Sequence, residues 1–269
     1  MKKELQEKYN KLITNLKECG SLAVAFSGGV DSTFLLYVAK EAVGTENVLA
    51  IVAKASAFPR KELDSARGIA EEMGVRCLEM DFDQISLPCF ILNPADRCYH
   101  CKKALFTGLR YLAKREKMGF VVDGTNYDDI SDYRPGIKAL EELKILSPLR
   151  DAELTKQEIR DISKELGLQS WNKPSIACLA SRVPYGEPIT QFKLDMVDKA
   201  EMLLYDMGFT NVRVRVHKDD LARIEVPEDQ LEKLLQRRDE IIKGFREFGF
   251  IYITMDIAGF RSGSMNEVL

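Results

Sequence analysis

No apolar run in this chain approaches a membrane span: its longest clean stretches, such as VLAIVA at 48–53, fall far short of the roughly 20 residues that a bilayer-crossing helix needs. The opening segment MKKELQEKYNKLITNLKE is too heavily charged for a secretory signal, so a cytoplasmic, membrane-free protein is expected. Basic residues are not in excess either. With 39 Lys and Arg against 42 Asp and Glu the net charge is -3, which argues against a protein whose main task is to grip a nucleic-acid backbone over a wide surface. Internal repeats and low-complexity tracts are absent, and the one tryptophan, Trp171, reads as a packing residue. Also missing is GxxxxGK[ST], the loop whose lysine grips phosphate in ordinary P-loop nucleotide hydrolases.

What is present is a 269-residue chain with 45% hydrophobic content, enough for a large domain or for a large and a small one. Leu5, Tyr9, Leu12, Ile13 and Leu16 have helical spacing. After them the pattern predicts strand 22–26, helix 31–41, strand 48–56, helix 61–73, a strand at RCLEMDF, a helix around 101–117 and strand 120–125. Alternation of this kind implies a parallel sheet with helices on both faces and ligands at the carboxyl ends of its strands. SGGVDS, Lys54 to Phe58 and DGTNYDD at 123–129 fall at such ends. In 147–168, Thr155 followed by Glu158 predicts a capping box. From Ile189 the pattern changes to helix 191–207, strands 211–217 and 221–226, a long helix 228–247 and strand 250–257. These predict a small α+β domain with an antiparallel sheet, giving domains 1–188 and 189–269.

The segment LAVAFSGGVDS at 22–32 carries the most chemistry. Gly28 and Gly29 lack the Cβ atoms that would keep a phosphate from the backbone, and the helix after them offers free N-terminal N–H groups. Ser27 and Ser32 can add donors. This loop resembles the PP-loop, SGGxDS, of the ATP pyrophosphatase superfamily, whose members split ATP between the α and β phosphates.

Six cysteines in a reducing compartment read as thiols, metal ligands or reactive groups rather than a disulfide framework. Cys98 and Cys101 form a CxxC pair near a helix start, where amide dipoles favour thiolates, and Cys178 lies in KPSIACLASR. Three such ligands suit an iron-sulfur cluster with one open iron; a closed zinc site would need a fourth ligand from His100 or Cys89; unrelated thiols are the bland alternative. Cys19, Cys77 and Cys89 sit in or beside apolar segments and are assigned no chemistry. In VRVRVH, alternation puts Arg213 and Arg215 on one strand face as a clamp for phosphate, with Arg261 as reinforcement. A solvated strand face explains the same pattern. Ser181 and Arg182 can hold a substrate phosphate or adenylate, and Arg182 can equally pair with a carboxylate.

With SGGVDS, DGTNYDD, RCYHCK, KPSIACLASRVPYG, VRVRVH and GFRSGS in order, the chain resembles the LarE family over essentially its whole length. The resemblance implies an α/β fold: a parallel-sheet PP-loop ATP pyrophosphatase domain, adenine nucleotide α-hydrolase-like, with a smaller C-terminal α+β domain for phosphate binding and oligomerisation. It implies ATP-dependent adenylation of a carboxylate of pyridinium-3,5-biscarboxylic acid mononucleotide and conversion to a thiocarboxylate, in nickel-pincer nucleotide biosynthesis. Three-cysteine members hold a [4Fe-4S] cluster as sulfide donor; single-cysteine members sacrifice the sulfur of the residue matching Cys178. The presence of Cys98 and Cys101 favours the cluster type. The implied nucleotide-site residues are Ser27, Gly28, Gly29, Asp31, Ser32, Lys54 and Gly124, with Asp31 and Asp128, or Asp129, for Mg²⁺. Arg182, Arg213, Arg215 and Arg261 are implied for substrate phosphate, and a homo-oligomer, a hexamer in relatives, is expected. A PP-loop tRNA thiolase is the first rival, against which the acidic balance counts. A nucleotide-binding module with structural zinc and an NAD synthetase-like amide ligase are the others, and the last leaves three cysteines unexplained.

Overall fold

The computed structural model describes residues 3–131, 135–174, 177–261 and 263–267. In chain order the helices and strands are α1 (Lys3–Cys19), β1 (Leu22–Ala25), α2 (Val30–Val43), β2 (Val48–Ala55), α3 (Arg60–Glu72), β3 (Arg76–Phe82), α4 (Pro88–Ile91), α5 (Arg97–Arg115), β4 (Phe120–Val122), α6 (Pro135–Glu142), α7 (Pro148–Asp151), α8 (Lys156–Glu165), α9 (Gln191–Asp206), β5 (Arg213–His217), β6 (Leu221–Glu225), α10 (Leu231–Gln236), α11 (Arg238–Phe248) and β7 (Tyr252–Met255). None of the described helices is long and apolar enough to cross a membrane.

The chain forms two compact units, residues 1–82 with 98–176, and residues 83–97 with 177–269. The first holds a four-stranded sheet in the order β3-β2-β1-β4, parallel throughout, with Leu22 opposite both Val48 and Phe120. Side-chain alternation divides its strands between two cores. Leu22, Val24, Val48 and Ala50 join Leu12, Leu16, Phe34 and Ile159 on one face, and Ala23, Leu49 and Ile51 join Phe106, Leu109 and Leu112 on the other. This is the expected α/β architecture with helices on both faces. The expected capping box is also present: the Thr155 hydroxyl accepts from the Glu158 amide at 3.3 Å, and the Glu158 carboxylate accepts from the Thr155 amide at 2.8 Å.

The second unit carries a three-stranded sheet, β5-β6-β7. Its pairing departs from the expected antiparallel sheet: β5 and β6 are antiparallel, whereas β6 and β7 are parallel, with Ala222 opposite Ile253. The cause is the helical connection between β6 and β7, which returns the chain to the end from which β6 started. The long helix expected over 228–247 is a short 3₁₀ turn followed by α10 and α11, broken at Arg237 with φ -99° and ψ 13°.

The division also departs from a single cut between 188 and 189. Residues 83–97 leave the first unit and belong to the second, because the Asn93 side-chain amide donates to the carbonyls of Val183, Pro184 and Glu187 at 3.3, 2.7 and 3.0 Å. Backbone bonds from Gly186 to Asn93 and from Ile189 to Ile91 complete the seam, each 2.9 Å.

Candidate functional site

In the first unit, β1 runs directly into the glycine loop: the Phe26 amide still donates to the Ile51 carbonyl at 2.9 Å, and the next residues turn. Gly28 makes that turn at φ +67°, and a Cβ on it would stand 2.9 Å from both Cα and Cβ of Ala66 on α3. Glycine is required twice over, by handedness and by the close approach. Gly29 is the N-cap residue of α2 and supplies no side-chain cap, so the amides of the first turn have no capping side chain from it. The Ser27 and Ser32 hydroxyls lie 3.0 Å apart beneath the loop. At the end of β4, a Cβ on Gly124 would come 3.1 Å from the Ser32 amide nitrogen, so this glycine lets the two strand ends close on the helix start.

Asp31 opens α2 beside this loop. One carboxylate oxygen accepts from the Lys156 ammonium at 2.5 Å, and the other is buried without a hydrogen-bond partner. Burial raises the Asp31 pKa above the ordinary carboxylate value; the Lys156 charge opposes this and the Asp129 charge adds to it. Asp128 accepts the backbone N–H of Lys156 at 2.8 Å, and Asp129 accepts that of Asn126 at 3.0 Å. An orphaned, buried carboxylate oxygen fits a divalent cation, although no three His, Cys, Asp or Glu side chains are grouped for a metal ion among the described residues. Lys54 stands at the end of β2, largely exposed, with Asp81 of the neighbouring strand 3.7 Å away.

In the second unit, a cavity of about 190 Å³ is lined by Arg97, Arg213, Arg215 and Arg261, with Tyr185 and Phe260 among its other walls. Three of these arginines were legible from VRVRVH and GFRSGS; Arg97 and Tyr185 were not. Arg215 lines the cavity and is buried, not part of a solvated strand face. It donates to both oxygens of the fully buried Glu225 at 3.0 and 2.7 Å, to the Ser264 hydroxyl at 3.1 Å and to the Ser181 carbonyl at 3.0 Å. Arg213 lies over the Phe260 ring at 5.3 Å. Burial pulls its pKa down, and the Arg182 and Arg215 charges push the same way. An anion would relieve such a crowd of cations. Arg97 is almost wholly buried; it donates to Asn93 Oδ1 and the Ala180 carbonyl and sits 5.6 Å from the Tyr185 ring centre.

Arg182 is absent from the cavity wall. It is 1% exposed and bonds both oxygens of Glu201 at 2.8 Å, so of the two roles read from sequence the carboxylate pair is the one the geometry displays. Its other donors reach the carbonyls of Ala177 and Cys178 at 3.1 and 3.3 Å. The Cys178 carbonyl also accepts from the Ser181 amide and hydroxyl at 2.9 and 2.8 Å. The backbone beneath the Cys178 thiol is thus held by three donors.

Cys98 and Cys101 lie in the first two turns of α5, three residues apart and so on one helix face; Cys98 is exposed and Cys101 and Cys178 are partly buried. The first two belong to the first unit and Cys178 to the second. As a donor set, two thiolates at i and i+3 near helix N-terminal amides suit a soft metal centre. Two lysines at this loop escape sequence reading: Lys156 on Asp31, and Lys173, whose ammonium lies 3.1 Å from the Gly28 carbonyl. The signal for both is the missing loop lysine, since a site that takes a polyanion needs a cation from elsewhere in the chain when its own loop has none.

The family model described as NAD synthase matches residues 4–92. An uncharacterized protein of Synechocystis is 40% identical, covering 98% of this chain and 99% of its own length. The pyridinium-3,5-bisthiocarboxylic acid mononucleotide synthase of Lactiplantibacillus plantarum is 38% identical, with 98% and 96% covered. The NH(3)-dependent NAD(+) synthetase of Chlorobium phaeovibrioides is 26% identical over 77% of this chain and 73% of that protein.

Proposed function

The chain belongs to the LarE family of PP-loop enzymes, and from that premise we propose that it is an ATP-dependent sulfurtransferase acting on pyridinium-3,5-biscarboxylic acid mononucleotide. The observation that carries the reading is the glycine loop with an orphaned Asp31 oxygen at the start of α2. A carboxylate is a poor electrophile because its leaving group would be oxide. In the first step a substrate carboxylate oxygen attacks the α-phosphorus of ATP, the bond to the bridging oxygen breaks, and pyrophosphate leaves. In the second, sulfide attacks the acyl carbon and AMP departs with the bonding pair, leaving a thiocarboxylate.

Ser27, Gly28, Gly29 and Ser32 would cradle the phosphates, with Lys54 and Gly124 at the neighbouring strand ends. Asp31, with Asp128 or Asp129, would hold Mg²⁺, which neutralises the departing pyrophosphate. Arg213, Arg215 and Arg261 would bind the substrate phosphate. Arg182 would act one step removed, by fixing the backbone at Cys178. Cys98, Cys101 and Cys178 would hold a [4Fe-4S] cluster, which supplies sulfide when bound. The same reading includes a homo-oligomer; Ile251, Tyr252 and Ile257, in and beside β7, are exposed apolar residues suited to a subunit contact.

Anaerobic purification with iron and acid-labile sulfide analysis tests the proposal, combined with pyrophosphate release and the mass of the Cys178 peptide before and after turnover. Cluster iron with an intact Cys178 supports it. Loss of hydrogen sulfide from Cys178 replaces it with sacrificial donation, and retention of tRNA without turnover of the mononucleotide replaces it with a tRNA thiolase.

A further inference from the structure

Lys173 stands 145 positions beyond Gly28, yet its ammonium reaches the Gly28 carbonyl at 3.1 Å. The Ser65 hydroxyl is 3.2 Å from the same nitrogen and the Glu62 carboxylate 2.7 Å. The side chain is four-fifths buried, at 19% exposure. Its main chain is held as firmly: Arg160 on α8 donates to the carbonyls of Trp171 and Lys173, each at 3.0 Å. An ammonium has three donors, here divided among a carboxylate, a hydroxyl and the carbonyl of the one loop glycine with positive φ. For a purely structural ion pair Glu62 would suffice. The contact with the loop places a fixed positive charge where the glycine turn meets α3, beside a loop that contains no lysine of its own.

We propose that Lys173 is the phosphate-binding lysine of this site, contacting the β- and γ-phosphates of ATP, with Arg160 as the residue that aims it and Glu62 as the group that holds its ammonium while the site is empty. The inference rests on the loop being an ATP site. On nucleotide binding the ammonium exchanges a neutral carbonyl acceptor for a charged phosphate oxygen, which makes a stronger bond. A lysine suits the task because a point charge on a flexible stem follows the pyrophosphate as it separates from AMP, where a planar guanidinium would be tied to one geometry.

The test is calorimetric binding of Mg·ATP and of AMP to the full-length chain. K173A is expected to bind ATP at least about tenfold more weakly while AMP affinity changes by no more than about twofold. E62Q, which releases the ammonium, is expected to keep or tighten ATP binding. If K173A melts before the assay temperature, K173Q is read in the same way. An unchanged ratio of ATP to AMP affinity in the lysine variant overturns the assignment, as does E62Q losing ATP affinity to the same extent. A wild-type chain that binds ATP but releases no pyrophosphate with the pyridinium mononucleotide overturns the proposed reaction and not Lys173; failure to bind ATP overturns both.

Discussion

Arg182 and Glu201 meet inside the second unit through two N–H···O bonds, each 2.8 Å long. One oxygen of Glu201 also accepts the Val214 amide at 2.9 Å, so the pair ties α9 to β5 as well as to the backbone at Cys178. Removing one member strands a buried charge, which costs about 3–5 kcal/mol. R182A and E201A should each lower the unfolding free energy by that much, read as a fall in the urea midpoint at unchanged slope, and replacing both residues with leucine should recover most of the loss. A wild-type midpoint for R182A would contradict the role assigned to the pair.

Arg213 lines the cavity over the Phe260 ring, and burial, with the Arg182 and Arg215 charges, lowers its pKa against the opposing Glu201 charge. R213Q should weaken binding of a pyridine mononucleotide by about 1.5–3 kcal/mol, measured by calorimetry at constant salt. R261Q should lose less, because Arg261 is 37% exposed and already bonded to Glu267 at 3.2 Å.

Gly28 admits no side chain. G28A places a Cβ 2.9 Å from α3 at a left-handed backbone position, where handedness alone costs about 1–2 kcal/mol. The melting temperature should fall and Mg·ATP should no longer shift it. An alanine variant with undiminished ATP stabilisation would show that the loop does not approach phosphate closely.

Asp31 gives a pH signature with a definite sign. Its folded-state pKa is raised, chiefly by burial, so its contribution to stability is fully present below the unfolded value of about 3.9 and is lost as pH rises through the folded value. D31N should therefore melt higher than wild type at neutral pH, and this gain should vanish below about pH 3.9. Its pyrophosphate release should fall by about a hundredfold or more, the scale of one lost electrostatic contact in a transition state. Equal melting curves across the whole pH range would contradict the buried, penalised carboxylate.

Local order was largely readable in advance. Strands β1, β2 and β4 of the first unit hold short apolar runs, the capping box is a two-residue signature, and Val212, Val214 and Val216 are wholly buried as their alternation predicts. Each of these depends on hydrogen bonds and side-chain direction within a few residues. The misses share the opposite character. The parallel pairing of β7 depends on where a crossover delivers the chain, and the placement of 83–97 on the bonds of Asn93 to residues about 90 positions away.

The sequence by itself determined the family and the class of chemistry to expect, because an SGGxDS turn and a CxxC pair are each short runs of adjacent residues whose local backbone direction those residues largely set. Only the tertiary structure decided which charges stand beside those runs. Lys173 and Lys156 come to the loop from far along the chain, and Arg182 turns inward to Glu201 while Arg97 joins the cavity. A charged side chain takes its role from the partner that desolvation forces upon it, and that partner is chosen by packing in three dimensions.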